Sequence, residues 1–235
     1  MSTGPYRAVL FDKDGTLIDH DASWFDVTLA LALESADGDR DHADRLMIAG
    51  GHAPGTRHFM ADSVIAAGTI AELVDLWLPD LGATARADRI GHFERTFAQA
   101  MADTAVAVPG LAETLDRIAA MGLAMGVATN DSAAGARATL GSLGVSDRFQ
   151  VLLGYDSVAR AKPHADQLFA FAAAVGVEPA QIVMVGDNSH DLEMARRGGA
   201  GLAVGVLTGT GNHASLAPLA DHVLASITGL PDLLR

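Results

Sequence analysis

Val9-Leu10-Phe11-Asp12-Lys13-Asp14-Gly15-Thr16-Leu17-Ile18-Asp19 is the stretch from which the fold of this chain is read. The apolar run Ala8 to Phe11 has the length and composition of a buried strand, and it stops at Asp12. Gly15 then permits a sharp turn. Residues two apart on an extended backbone project to the same side, so Asp12 and Asp14 converge on one small volume at a strand end. Two like charges there are unfavourable unless a cation or a proton relieves them. Taken alone, the pair also reads as an acidic turn capping the next helix, since Asp and Gly are common in turns. What the rest of the chain brings to the strand end decides between the two.

The chain has 235 residues, of which 49% are hydrophobic, enough for a sizeable core and for one large domain or two unequal ones. It contains no cysteine, which excludes disulfides, thiolate metal sites and Cys nucleophiles. Met1 to Arg7 is polar and lacks the apolar region of a signal peptide, and no apolar run is long enough to span a bilayer. A cytoplasmic protein is the expectation. The formal charge of −13 argues against nucleic acid or an anionic membrane as partner. It also means that an anionic substrate needs positive charge supplied locally. Nothing in the sequence reports the oligomeric state.

From about Ser23 to Met101 the apolar residues recur at helical spacing, as at Trp24, Val27 and Leu31, with no convincing strand. Gly- and Pro-containing breaks at 37–39, 50–55 and 79–82 divide this stretch into four or five helices. After Pro109-Gly110 the pattern becomes regular strand–helix alternation. Strands are expected at 123–128, 151–153, 182–185 and 200–206, with a last edge strand at Val223-Leu224. Helices are expected at 111–121, 132–143, 163–175 and 188–197, with Pro163 opening the third, and a terminal helix near Leu230. This order implies an α/β fold: a Rossmann-like parallel sheet with right-handed crossovers, interrupted after its first strand by a helical insertion.

In such a sheet, ligands bind outside the carboxyl ends of the strands. The expected strand ends carry Thr129-Asn130-Asp131, Lys162-Pro163 and Gly186-Asp187-Asn188-Ser189-His190-Asp191. Asp187 can complete a Mg²⁺ site with Asp12, because that ion prefers oxygen ligands. Lys162 and Thr129 offer a charge and a hydroxyl to a phosphoryl group. Helix starts, including that near Ser132, offer amide dipoles. Singly, Thr129 reads as a helix cap, Lys162 as a surface lysine, and Asp187 with Asp191 as helix-start acids. Their joint arrival at one sheet edge is what points to phosphoryl chemistry. His20 and His42 read as solvated helix ends, His190 as a surface residue, and Trp24 and Trp77 as core of the insertion.

On Phe11-Asp12-Lys13-Asp14-Gly15-Thr16-Leu17, Thr129-Asn130, Lys162-Pro163 and Gly186-Asp187-x-x-x-Asp191, the chain resembles the phosphatase branch of the haloacid dehalogenase-like superfamily with a C1-type helical cap. The resemblance implies a core of residues 1–18 and 106–235 and a cap of residues 19–105. It implies Asp12 as nucleophile forming an aspartyl-phosphate, Asp14 as general acid and base, and Thr129, Asn130 and Lys162 as phosphate-binding groups. Mg²⁺ would be held by Asp12, the Asp14 carbonyl and Asp187, with Asp191 behind them. Lys13 departs from the apolar residue more usual between the two Asp, and by alternation it is expected to point away from the site. The Gly50–Gly55 loop with Arg57 and His58 resembles the cap segment of phosphoglycolate phosphatases, and Arg57 is the expected cap contact to substrate. That loop also reads as an ordinary interhelical turn. The implied function is a Mg²⁺-dependent phosphatase for a small phosphorylated metabolite, 2-phosphoglycolate-like. A phosphomutase using the same residues is the alternative. A receiver-type phospho-acceptor module is more distant, since it has neither the helical insertion nor an acidic pair like Asp187 and Asp191.

Overall fold

The computed structural model describes residues 5–235. Its first strand, β1 (Ala8–Phe11), is followed by α1 (His20–Ser35), α2 (Arg40–Gly50), α3 (Val64–Ala67), α4 (Ile70–Trp77) and α5 (Ala83–Thr104). Then come α6 (Leu111–Ala120), β2 (Ala124–Ala128), α7 (Ala133–Ser142), β3 (Val151–Leu153), α8 (Asp166–Val175) and β4 (Ile182–Gly186). The chain closes with α9 (Ser189–Gly198), β5 (Leu202–Val206), α10 (His213–Leu216), β6 (His222–Leu224) and α11 (Leu230–Leu233).

The six strands form one sheet in the order β3-β2-β1-β4-β5-β6, and every pair is parallel. Helices cover both faces, which is why the central strands are apolar throughout rather than alternating. Val9 and Phe11 pack on one side with Leu115, Ile118 and Leu230. Ala8 and Leu10 pack on the other with Leu168, Phe171 and Leu192. The chain runs outward from β1 through β2 to β3, then crosses back to β4 on the other side of β1. The ligand crevice of an open parallel sheet lies at such a reversal.

The α1–α5 insertion has its own apolar cluster, with Trp24, Met47, Phe59, Trp77, Phe93 and Phe97 at its centre. The starts of α1 to α4 are capped by side chains: Asp19 accepts from the Ala22 amide at 3.0 Å, and Thr69 with Glu72 forms a reciprocal capping box. Such caps contribute roughly 1 kcal/mol each. Both connections to the sheet domain run side by side, where the Asp19 amide donates to the Val106 carbonyl and the Val108 amide to that of Leu17. Helix α5 lies against α7, and the Tyr155 hydroxyl donates to Glu94 across that junction. One local expectation changes. Pro163 does not open a helix: it follows Lys162 through a cis peptide bond, and α8 begins at Asp166.

Candidate active site

Strand register brings the first pieces together. Phe11 pairs with Val127 on one side and Val185 on the other. Thr129 and Asp187 therefore leave their strands two residues beyond the partners of Phe11, flanking Asp12. The Asp12 amide donates to the Val185 carbonyl at 2.8 Å, which carries the ladder to the last position before the turn. Carboxylate oxygens of Asp12, Asp187 and Asp191 all lie within 4.8 Å of one another, and all three residues are buried.

Lys162 reaches into this cluster. Its ammonium donates to Asp12 Oδ1 at 2.5 Å and to Asp191 Oδ1 at 2.7 Å. The other Asp191 oxygen accepts from the Asn188 amide at 3.0 Å, so both oxygens of Asp191 have protein donors. Asp187 Oδ2 accepts from the Thr210 amide at 2.8 Å. Space around Asp187 exists only because glycines surround it. A Cβ on Gly15 would stand 2.6 Å from its Oδ2, and one on Gly209 would stand 2.0 Å from the same atom. The Gly209-Thr210-Gly211 segment thus serves to seat Asp187.

The electrostatics express crowding of like charge. Burial, helped by Asp191 and Asp14, pushes the Asp12 carboxyl up to about 7 against the opposing pull of Lys162. Burial, then Asp12 and Asp191, raises Asp187 well above the usual carboxylate range. Burial alone would lower Lys162, but Asp12 and Asp191 outweigh it and hold the ammonium above the usual lysine range. These residues fit a divalent cation: a dry set of hard oxygen donors, carrying more negative charge than one lysine balances.

A second ion-pair cluster lies beside the first. Lys13 is fully buried, and its ammonium is 2.8 Å from Asp14 Oδ2 and 3.3 Å from Asp131 Oδ2. The indole N–H of Trp24, from α1, donates to Asp14 Oδ1 at 2.6 Å. Burial raises Asp131, with Lys13 opposing and Asp14 adding to the effect. Lys13 is thus no bystander. The alternation that would turn it away ends with β1 at Phe11, and in the turn that follows it pairs with the carboxyl of its neighbour. The two lysines of the chain, Lys13 and Lys162, are both buried here, each between two aspartates.

Other expectations also change. The amides at the start of α7 are taken by side chains: Ser132 N–H donates to Asp131, Ala133 to Asp156 and Gly135 to Ser132, so they are not aimed at an anion. Thr129 is buried on the cavity wall, where its hydroxyl oxygen accepts from the Asp131 amide at 3.1 Å. Asn130 donates to the Ala67 carbonyl of the insertion at 2.8 Å and to the Lys162 carbonyl at 3.3 Å. His20 is not a solvated helix end: it is 2% exposed, stacked on Trp24 and edge-on to Phe59. His190 Nδ1 lies 3.3 Å from the Ala67 carbonyl and its ring lines the cavity.

Arg57 does not line the cavity. It is exposed, held by Asp26 through two hydrogen bonds of 2.8 and 2.9 Å, and lies over the Phe25 ring. The insertion meets the site instead through residues 64–70, together with Trp24, Leu73 and Phe97. Among the sequence candidates, Asp12, Asp14, Thr129, Asn130, Lys162, Asp187 and Asp191 meet at one cavity, and Arg57 stands apart. Trp24, Lys13, Asp131 and the 64–70 segment were not among them. Only the unusual lysine between the two aspartates was a signal.

Comparison with known proteins gives one answer. A family model for haloacid dehalogenase-like hydrolases matches residues 6–199. A phosphoglycolate phosphatase of Xylella fastidiosa is 32% identical over 193 residues, 82% of this chain and 77% of that protein. One from Rhodospirillum rubrum is 31% identical over 198 residues, 84% and 78% of the two chains. The crystal structure of a predicted phosphoglycolate phosphatase from Haemophilus somnus superposes with a TM-score of 0.78 at 21% identity, covering 100% of both chains.

Proposed function

We propose, from the premise that the chain belongs to the haloacid dehalogenase-like hydrolases and is a phosphoric monoester hydrolase, that it cleaves a small phosphorylated metabolite through an aspartyl-phosphate on Asp12, with Mg²⁺ as cofactor. The observation that carries this reading is the meeting of Asp12, Asp187 and Asp191 with Lys162 and Thr129 at one buried sheet edge.

A carboxylate oxygen of Asp12 attacks phosphorus in line as the bond from phosphorus to the leaving oxygen breaks. Asp14 gives the departing alkoxide its proton, then takes one from the water that hydrolyses the aspartyl-phosphate. Lys162 and Thr129 bind non-bridging oxygens and stabilise the charge that gathers there. Asp12, Asp187 and the Asp14 main-chain carbonyl would hold the Mg²⁺, which neutralises and orients the phosphoryl group. Asp191 keeps Lys162 in place. Residues 19–105 act as the cap that keeps water out while the intermediate lives, over a core of residues 1–18 and 106–235. The separate apolar cluster of the insertion supports that division. The names of the relatives support a 2-phosphoglycolate-like ester as the first substrate to try. No nucleic-acid or membrane partner is proposed, and no helix among the described residues is long and apolar enough to cross a membrane.

Release of inorganic phosphate from small phosphomonoesters tests the reading, measured with Mg²⁺ and with chelator. Activity should require the metal, and Asp12→Asn should lose about 10⁴-fold or more in kcat. An Asp12→Asn variant turning over at the wild-type rate would end the proposal. Formation of an isomeric ester without phosphate release would select the mutase.

A further inference from the structure

The cap wall of the cavity, opposite the carboxylates, is mostly hydrocarbon, with His20 and Thr69 as its polar members. Trp24, Val64, Ile65, Ile70, Leu73 and Phe97 line the cap side of the cavity. Their placement over the site is held by polar contacts to the core. Asn130 Nδ2 and His190 Nδ1 both meet the Ala67 carbonyl, and the Ser189 hydroxyl donates to Asp62 at 2.6 Å. Residues 64–70 are therefore the part of the cap that a bound ester meets.

No arginine lines this cavity. On the cap, Arg40 pairs with Asp44, Arg57 with Asp26, Arg86 with Asp75 and Arg89 with Glu34, all on solvent-facing surfaces. Both lysines are committed to aspartates, Lys162 to Asp12 and Asp191, Lys13 to Asp14 and Asp131. Of the histidines on the wall, His190 lies at the Ala67 carbonyl, whereas His20 stacks on Trp24 with its Nδ1 3.6 Å from Asp21, beyond hydrogen-bond reach, and without another partner among the described residues. A carboxylate on the leaving group would enter a space bounded mostly by hydrocarbon and by Asp14 and Asp131, with one imidazole nitrogen and no uncommitted lysine or arginine on its lining to meet it. Burying an unpaired charge is strongly unfavourable, whereas burying methyl and methylene groups against this wall is favourable.

We infer that the natural leaving group is an uncharged alcohol with an apolar face, and that carboxylate-bearing esters such as 2-phosphoglycolate are poor substrates. This rests on the phosphatase reading above and departs from the substrate its relatives' names suggest. Discrimination comes from two effects acting together: the absent counter-charge rejects the acid, and the hydrocarbon wall rewards the neutral group.

The test is steady-state phosphate release by the full chain with Mg²⁺ at pH 8. It compares isobutyl phosphate with 2-phosphoglycolate, which have similar shape and differ in charge, and uses p-nitrophenyl phosphate as control. The expected kcat/KM ratio favours isobutyl phosphate by about 100-fold. Val64→Arg, at a half-buried wall position, should lower that ratio at least about tenfold by supplying the missing cation. A wild-type ratio at or below one overturns the inference, as does hydrolysis of p-nitrophenyl phosphate with neither alkyl ester accepted. A ratio unmoved in folded Val64→Arg overturns the assignment of this wall. If all three esters survive with Mg²⁺ present, the phosphatase reading itself has failed.

Discussion

The acids at the sheet edge and the acids on the cap respond to their surroundings in opposite directions. At the edge, burial raises Asp12, Asp131 and Asp187. On the cap, the hydrogen bond from Arg57 lowers Asp26, that from His92 lowers Glu34, and that from Arg86 lowers Asp75. The cap pairs are exposed and contribute little to stability. They keep a charged outer surface over an apolar interior. The edge cluster is the reverse: negative charge held out of water, costly unless a cation or a proton relieves it. On the proposed reading, chemistry is concentrated on the sheet and selection on the cap. Trp24 is where they touch, a residue of the cap's apolar core whose indole N–H reaches Asp14.

The sharpest way to break this division is at that contact. Trp24→Phe keeps the ring packing and removes the 2.6 Å hydrogen bond to Asp14. A hydrogen bond to a charged group is worth about 1.5–3 kcal/mol, so kcat on alkyl phosphates should fall about 10- to 100-fold. With p-nitrophenyl phosphate, whose leaving group needs no proton, the change should stay within about threefold. Equal losses on both substrates would make Trp24 a packing residue only.

The opposite signs of the two acid sets give a second experiment. An acid raised by folding contributes stability that is fully present below its unfolded value and lost as pH rises through the folded one. For Asp12 that window runs from 3.8 to about 7, with Asp187 raised in the same direction. The cap acids are lowered, so their contribution is present above the unfolded values and lost only in more acid solution. Between pH 5.5 and 8 the sheet edge should therefore dominate. In chelator, the melting temperature should fall by several degrees over that interval, at roughly 2–4 °C per kcal/mol for a chain of this size. Mg²⁺ should raise it more at pH 8 than at pH 5.5. A melting temperature flat in pH would show that the edge cluster is not under charge strain.

The smallest effect is expected at Arg57. With its guanidinium on Asp26 and outside the cavity, Arg57→Ala should change kcat/KM less than about twofold on every substrate. A KM rise confined to one ester would mean that the cap swings Arg57 into the site, and would soften the contrast between the walls.

Much of this was readable in advance. The six strands and the main helices between them follow from short apolar runs and glycine stops, signals carried within ten residues or so. Asp12, Thr129, Lys162 and Asp187 were legible because each follows a strand or, for Lys162, immediately precedes a proline, and a parallel sheet gathers strand ends at one edge. Arg57 was misassigned because a glycine-rich loop says nothing about which way a neighbouring side chain turns once an acid thirty-one residues earlier competes for it. The pairing of Lys13 with Asp14 and Asp131 was missed because strand alternation was extended two residues past the end of β1.

What the sequence alone determined is the sheet, the helical insertion and the identity of the chemical groups at the edge, since these depend on local periodicity and on one topological rule. Only the tertiary structure decided which of those groups are already paired, that both lysines sit between aspartates, and that apolar cap residues face the carboxylates. Those outcomes depend on contacts between residues far apart in the chain, set by how cap and core pack together.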